Sequence, residues 1–502
     1  MRKHTGYTMV ETLRLHPSDT VEIVTVASSG SGIGQGHKRA CRAMEVGDPV
    51  VKFGQIIGTA TQPITPGAHV HVHNCAFSEH DRSYEVGADL AAAETLRPTA
   101  HPRSFLGYPR RSGPAGTRNY IALCATVNCS ATVIRKAAAE LEAEGALAPY
   151  PNVDGICALA HGTGCGMSAS GHSAEILERV LWGHASHPNV GAAVFVGLGC
   201  EVMQLARMKA RFGAQDAGRF FGLTIQDTGG TRASIERIKT HVREILPQVN
   251  AVQRQPCPVS DLRIGLQCGG SDGLSAITAN PALGIASDMI VAEGGGVILS
   301  ETPEIYGAEA LLLRRSSPDV ADRLIACLKW WEDYAAQGGG SMDNNPSPGN
   351  KEGGITTILE KSLGAVAKGG STPLRAFYSY GETVTSPGLS FMDTPGYDPV
   401  SATGQIAGGA QIIVFTTGRG SAFGSKPAPT IKLATSDRLW VQMPDDMDLG
   451  CGDIVSAGTP LATKGAEIFE MILSVASGQP TKSENQGLGD NEFVPWQTGA
   501  VM

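Results

Sequence analysis

The sequence predicts an α/β protein: a small N-terminal all-β module followed by two α/β domains on parallel sheets that share a cleft. Three observations carry this. Short strand patterns broken by glycine and proline fill the first 85 residues. From Gly107 onward, apolar strand-like segments alternate with helical patterns, a βαβ rhythm that implies a parallel sheet. Four apolar segments also run straight into a loop that presents a cysteine: NYIALCATVNCS (Cys129), VDGICALAHGTGCG (Cys165), AAVFVGLGCE (Cys200) and LRIGLQCGGSD (Cys268). Loops leaving the carboxyl ends of parallel strands converge on one rim, where ligands bind. The four cysteines are therefore expected at one site, although a buried thiol is the ordinary state of each. Soft thiolates select iron-sulfur clusters, zinc or Cu(I); paired C-x-x-C motifs for structural zinc are missing, so iron is the leading metal.

The elements follow in order. Residues 1–85 carry VEIVTVAS, DPVVKFGQIIGTA and HVHVHN between turns, which reads as the all-β module. The stretch ADLAAAETLRPTAHPRS lacks a sustained amphipathic pattern and marks a flexible linker over 86–104. The first α/β domain, 105–254, alternates strands IALCATV and AAVFVGLG with helices SATVIRKAAAELEAEG and SAEILERVLWGHA. The second, 255–502, holds RIGLQCGG, MIVAEGGGVILSE, the long helix VADRLIACLKWWEDYAAQ and the strand IIVF. At 502 residues, several domains are the expectation.

Composition narrows the function. A net charge of −8 argues against a nucleic-acid or acidic-membrane footprint and for a small-molecule partner. The 63 glycines suit an enzyme with many ligand-facing loops. No apolar run is long enough to span a bilayer, and the start MRKHTGYTMVETLRLHPSDT lacks the apolar core of a secretory signal, so a cytoplasmic protein is expected. Eleven cysteines without a compact disulfide spacing fit reduced thiols.

Several motifs carry chemistry. As a strand, HVHVHN projects His69, His71 and His73 from one face, where imidazoles hold a metal, bind an anion or move protons. GQGHKRA sets His37 and Lys38, a base and a cation, beside glycines. In DNNPSPGNKEGG, prolines and glycines fix an irregular loop that delivers Asn345, Asn350 and Lys351 before a helix, a setting that favours anions. TTGRG leaves the strand IIVF with Thr416, Thr417 and Arg419, the last able to pair bidentately with a carboxylate. CGGSDG and LSETPE add Asp272 and Glu301 at apparent strand ends as candidate bases or hard-metal ligands. No P-loop or dinucleotide fingerprint stands in the required context.

GLGCE, CGGSDGLSAITANP, NPSPGNKEGG, EKSLG, DTPGYDPVSATGQ and FTTGRG, in this order, resemble the altronate/galactarate dehydratase family over nearly the whole chain. The module with QGHK and HVHVHN is similar to the SAF-like β-clip domain that precedes the catalytic region there. HVHVHN looks closest to the altronate branch, whereas DTPGYDPVSATGQ differs from it, so the resemblance bounds the reaction more tightly than the substrate. It implies an iron-dependent loss of water from a sugar acid, altronate first or a related acid such as galactarate, giving a 2-keto-3-deoxy acid. Arg419 and the Lys351 loop would clamp the carboxylate. His37, Lys38, His71 and His73 would move protons or hold metal. The iron is either mononuclear Fe(II), held by histidine or carboxylate, or a cluster held by three cysteines with one iron open to substrate. The expected assembly is a homodimer acting on a small sugar acid. Two alternatives stand beside this reading: a C–S lyase of the sulfolactate sulfo-lyase type, which expels sulfite, and a non-catalytic sugar-acid sensor.

Overall fold

The computed structural model describes residues 11–26, 32–79, 83–95, 102–212, 218–268, 270, 272–499 and 501–502, with no side-chain description at 211–212. The mixed architecture is as expected, a strand-rich N-terminal region followed by two parallel-sheet regions. In the first region, strands Thr12–Leu13, Val21–Val24, Lys38–Ala40 and His69–Val70 form one antiparallel sheet. Pro49–Lys52, Gln55–Ala60 and Cys75–Ala76 form a second. The hairpin of the second turns at Phe53 and Gly54, both at positive φ (57° and 73°), the backbone of a two-residue turn whose twist matches that of its strands.

Of the flexible linker expected over 86–104, residues 86–95 are fastened instead, and 96–101 lie outside the described residues. The backbone N–H groups of Gly87 and Asp89 donate to the carbonyls of Leu313 and Arg314. Arg314 grips Asp89 and Glu85, and Arg375 forms a bidentate pair with Glu94. Polar composition read as looseness; the ion pairs that fasten the segment come from more than 200 positions away. The strand Ser104–Gly107 then pairs antiparallel with Gln255–Pro258, so the chain enters and leaves the middle domain side by side.

The middle domain carries a four-stranded parallel sheet in the order Gly155–Leu159, Tyr120–Ala125, Val190–Gly197, Phe220–Thr224. Tyr120–Ala125 is buried throughout, as a strand covered on both faces must be. Helices Asn128–Ala143 and Thr231–Asn250 share one apolar cluster against the sheet, built on Ile134, Leu141, Ile238 and Val242.

The C-terminal domain holds seven parallel strands, ordered Leu374–Tyr378, Gly388–Met392, Gly296–Leu299, Arg263–Cys268, Ile412–Thr417, Thr430–Ala434, Leu449–Gly450. The first strand in sequence, Arg263–Cys268, lies at the centre. The chain moves to one side of it for three strands and then to the other. The crevice between the loops after Cys268 and Thr417 is thus a topological switch point, where open α/β sheets bind ligands. Helix Asp398–Ala407 braces these strands: Gln405 Nε2 donates to the Leu266 and Ile298 carbonyls and to Ser300 Oγ, while Gln267 Nε2 donates to Ser401 Oγ. Among the described residues, no helix is long and apolar enough to cross a membrane.

Candidate active site

Strand register assembles the first half of the site. Lys38 pairs with Val70 and Arg39 with His69, so His37 stands opposite His71 across the ladder and diagonal to His69. All three imidazoles share a face. The Gln35–Gly36 turn sets His37 there: Gly36 has φ 84°, and the His37 carbonyl closes back on Val24 N–H at 2.8 Å. Ligand atoms of His37, His69 and His71 all lie within 4.8 Å of one another, the only such group among the described residues. His37 Nδ1 and His69 Nε2 are 3.0 Å apart, and buried His71 Nδ1 has no hydrogen-bond partner. Burial, aided by neighbouring His37 and His73, pushes His69 down to about 4; burial and the Lys38 ammonium push His71 down to about 4. His37 is lowered by burial and by Lys38. At neutral pH the cluster is three uncharged imidazoles with inward nitrogens, a donor set that fits a divalent first-row metal such as iron(II).

The same pleat turns Lys38 the other way. Its Nζ is fully buried, donating to Gly354 O at 2.6 Å and to Glu360 Oε2 at 2.7 Å. Lys52 reaches Glu360 Oε1 at 2.7 Å, and Thr356 donates from backbone and hydroxyl to the same carboxylate. Three buried charges thereby fasten the β module to the C-terminal domain. His37 Nε2 lies 3.2 Å from Glu352 O, on the loop leading into this anchor.

The switch-point crevice supplies the second half. A cleft of about 380 Å³ is lined by Cys268, Glu304, Asn345, Lys361, Asp398 and Arg419, among others. A neighbouring cleft of about 530 Å³ is lined by His37, Asp272 and the same Arg419. Two of the strand ends here are held at left-handed φ in residues with a side chain, Cys268 (51°) and Glu301 (67°), a strained geometry that gathers at functional sites. Lys361 Nζ sits 2.6 Å from Glu304 Oε1 and 2.7 Å from Asn345 Oδ1. Burial works against its charge, but Glu304 and its neighbours hold the ammonium above its usual range. Glu304 Oε2 is buried without a hydrogen-bond partner. Burial, reinforced by Glu304, pushes the Asp398 carboxyl up to about 6 and that of Glu301 up to about 8. The cleft combines a guanidinium, a fixed ammonium, an unsatisfied carboxylate oxygen and the Asp398 carboxyl, which exchanges its proton near neutrality, with Glu301 buried behind it.

Three family descriptions tile the chain: "Altronate/galactarate dehydratase SAF domain" over residues 10–78, "D-galactarate dehydratase/Altronate hydrolase, second domain" over 107–250, and "D-galactarate/Altronate dehydratase, C-terminal" over 259–501. The chain belongs to the D-galactarate/altronate dehydratase family. Altronate dehydratase of Bacillus subtilis is 35% identical, covering 94% of this chain and 92% of its own. Galactarate dehydratase (L-threo-forming) of Escherichia coli is 33% identical, covering 95% of each. The (2R)-sulfolactate sulfo-lyase subunit beta of Chromohalobacter salexigens is 31% identical, covering 78% of this chain and 97% of its own.

Within this dehydratase-family chain, the structure brings together His37, His71, Asp272, Asn345, Asn350, Thr417 and Arg419 around the two clefts, with Glu301 buried behind them. Other expectations are corrected. The four cysteines do not share a site: Cys268 ends a strand of the C-terminal sheet, while Cys129, Cys165 and Cys200 follow strands of the middle sheet. HVHVHN is a strand only over His69–Val70; a turn follows, closed by Asn74 N–H on the His71 carbonyl, so exposed His73 leaves the ligand face and His69 takes its place. Lys38 is a buried anchor, not a base. Lys351 lies in the helical turn Pro348–Glu352 outside both cleft linings, and Lys361 is the cation in the cleft. Thr416 spends its hydroxyl on Asn280 Oδ1 at 2.7 Å beneath the sheet. Thr417 Oγ1 accepts the Arg419 and Gly420 N–H groups, shaping the loop that presents the guanidinium. Glu304, Lys361 and Asp398 were missed. They stand in ETPE, EKSLG and GYDP, where a burial signal was available in the apolar surroundings of EKSLG.

Proposed function

We propose that this protein dehydrates a six-carbon sugar acid, altronate first, to the 2-keto-3-deoxy acid, with iron(II) held by His37, His69 and His71. The observation that carries this reading is the Arg419 guanidinium shared by the cleft of the histidine module and the cleft of Glu304, Lys361 and Asp398. When bound, iron supplies a Lewis acid for substrate oxygens. The chain's own groups divide the remaining work. Arg419, whose guanidinium pairs with exposed Glu352 at 3.0 Å, can exchange that partner for a substrate carboxylate. Glu304 Oε2, unsatisfied beside that position, takes the proton from the carbon next to the carboxylate. Lys361 and Asn345 fix Glu304, and the ammonium stabilises negative charge developing on the enediolate. Asp398, poised near neutrality by burial, returns a proton to the departing hydroxyl.

The test is turnover of oxygen-protected, iron(II)-loaded enzyme on a panel of aldonates and aldarates, with sulfolactate alongside. Keto-acid formation from altronate above the other acids supports the assignment. Release of sulfite from sulfolactate with no keto acid from any sugar acid replaces it with C–S lysis. Absence of turnover on the whole panel would leave the sensor reading in its place.

A further inference from the structure

The histidine trio and the switch-point crevice leave the middle domain unused. We propose that Cys129, Cys165 and Cys200 hold an iron-sulfur cluster on that domain, at a site separate from the histidine metal. Exposure points to it first. Of the chain's eleven cysteines, all described and none in a disulfide, three are exposed: these three. Free cysteine is among the most buried residue types, so three exposed thiols on the loops of one sheet need a reason. They follow three adjacent strands of one parallel sheet, Gly155–Leu159, Tyr120–Ala125 and Val190–Gly197, all at the carboxyl end.

The loops are built to meet. Asn128 N–H donates to Thr163 O at 2.9 Å and Val202 N–H to Gly164 O at 3.1 Å, so residues one or two positions from each cysteine are in hydrogen-bond contact. A Cβ on Gly164 (φ 99°) would lie 2.3 Å from Thr126 O, and one on Gly197 would lie 2.1 Å from Glu201 Oε1. Close approach at these points requires glycine. Buried Glu201 accepts from Thr126 Oγ1 at 2.8 Å and from Gly199 N–H at 2.6 Å, bracing the Cys200 loop. That carboxylate is committed, and so is His161, which donates from Nε2 to Ala125 O and accepts Thr163 N–H at Nδ1. Three thiolates are then the protein's ligand set.

Spacing selects the cluster over a single ion. A lone zinc bound at about 2.3 Å by thiolates needs sulfurs within roughly 4 Å of each other. Among the described residues, only the histidine trio brings three ligand atoms within 4.8 Å. The thiols leave the central strand Tyr120–Ala125 and the strand on each side of it, with adjacent strands roughly 5 Å apart, a spread that suits a body carrying its own bridging sulfides. With three protein ligands, a four-iron cluster keeps one iron free for an exogenous oxygen ligand.

The full-length chain, reconstituted anaerobically with ferrous iron and sulfide and then desalted, tests this. Expected are acid-labile sulfide, broad visible charge-transfer absorption and an electron paramagnetic resonance signal on reduction. Each of C129S, C165S and C200S should lower the sulfide content roughly tenfold or more, while C268S and H69A retain it. Differential alkylation of the unmutated protein gives a second readout that does not depend on variant folding: the cluster should shield these three thiols, and chelation should expose them. Iron uptake without labile sulfide, a cluster surviving in the C129S/C165S/C200S triple variant, or equal alkylation with and without reconstitution would each overturn the proposal.

Discussion

Glu304 is the residue on which most of the proposed chemistry turns, because its two oxygens have different fates. Oε1 is held by Lys361 and Asn345, while Oε2 has no partner. Glu304→Gln keeps the shape and the contact to Asn345 but removes the proton acceptor; kcat should fall by about 10²–10⁴-fold, the usual worth of a positioned base, with KM nearly unchanged. Unaltered steady-state kinetics would remove Glu304 from the reaction. At the histidine metal, H69A loaded with iron(II) in the absence of sulfide should lose the histidine-bound iron on desalting while H73A keeps it, since the turn after Val70 carries His73 off the shared face. Equal iron in both would show that the ligand face is drawn wrongly. The sequence made His71 visible through the alternation of HVHVHN, and Arg419 and Glu301 because each stands near a glycine or proline turn at a strand end. Lys361 was not visible: three turns of apolar helix surround it, and its role depends on a carboxylate 57 positions earlier.

Elements show where sequence reasoning succeeds and where it stops. The middle-domain strands were legible from six to eight consecutive apolar residues, a pattern that only burial on both faces produces. HVHVHN misled because alternation predicts a strand and says nothing about where pairing ends; Asn74, which accepts His71 N–H and closes the turn, ends it. Helix His172–Ala185 and its flanks carry a further consequence. His161, His184 and His187 are buried, and burial pushes them down to about 4, 4 and 3. His184 donates to Val180 O and His187 to Ala410 O, contacts that favour the proton, but burial outweighs them and holds each ring neutral. Above the unfolded value near 6.5 neither state is protonated and stability is unaffected. As pH falls from there toward 4, the unfolded chain binds protons that the folded one refuses, so stability drops, and it levels only when the folded histidines titrate. Full titration costs on the order of 3 kcal/mol per histidine. Urea midpoints should therefore decline steeply between pH 6.5 and 4 and less steeply in His184→Asn; a midpoint flat across that window would refute the mechanism. The anchor on helix Ile358–Ala367 gives another outcome. Glu360→Gln leaves Lys38 and Lys52 buried without a counter-charge, and breaking such a pair costs about 3–5 kcal/mol. The loss should appear as selective hydrogen exchange in the β module; exchange unchanged there would mean that the anchor does not hold the module in place.

At the scale of the molecule, the question is whether the metal face and the acid–base cleft work as one site although they lie on different domains. Beside the Lys38–Glu360–Lys52 anchor, the docking between them is backbone against backbone. Gly273 N–H donates to Gly353 O at 2.9 Å within the C-terminal domain, and a Cβ on Gly273 would lie 1.9 Å from Gly36 O of the β module. Gly354, at φ 100°, approaches the same Gly36 carbonyl, and a Cβ there would come within 2.9 Å. Gly36 immediately precedes His37, so this close contact between the domains adjoins a proposed metal ligand. Unlike Gly354, Gly273 has no positive φ, and alanine suits its backbone; the added methyl is then purely a wedge. All three imidazoles belong to the β module, whereas Glu304, Lys361 and Asp398 belong to the C-terminal domain. Gly273→Ala should consequently keep iron near the unmutated level while kcat falls at least about tenfold, the scale expected when a reacting group is displaced by an ångström or so. Activity and histidine-bound iron should thus separate in this variant and fall together in H69A. If Gly273→Ala turns over normally, the two clefts are independent and the histidine metal is not part of the catalytic unit; if it loses iron in proportion to activity, the wedge has acted on the module alone and the shared site is not supported.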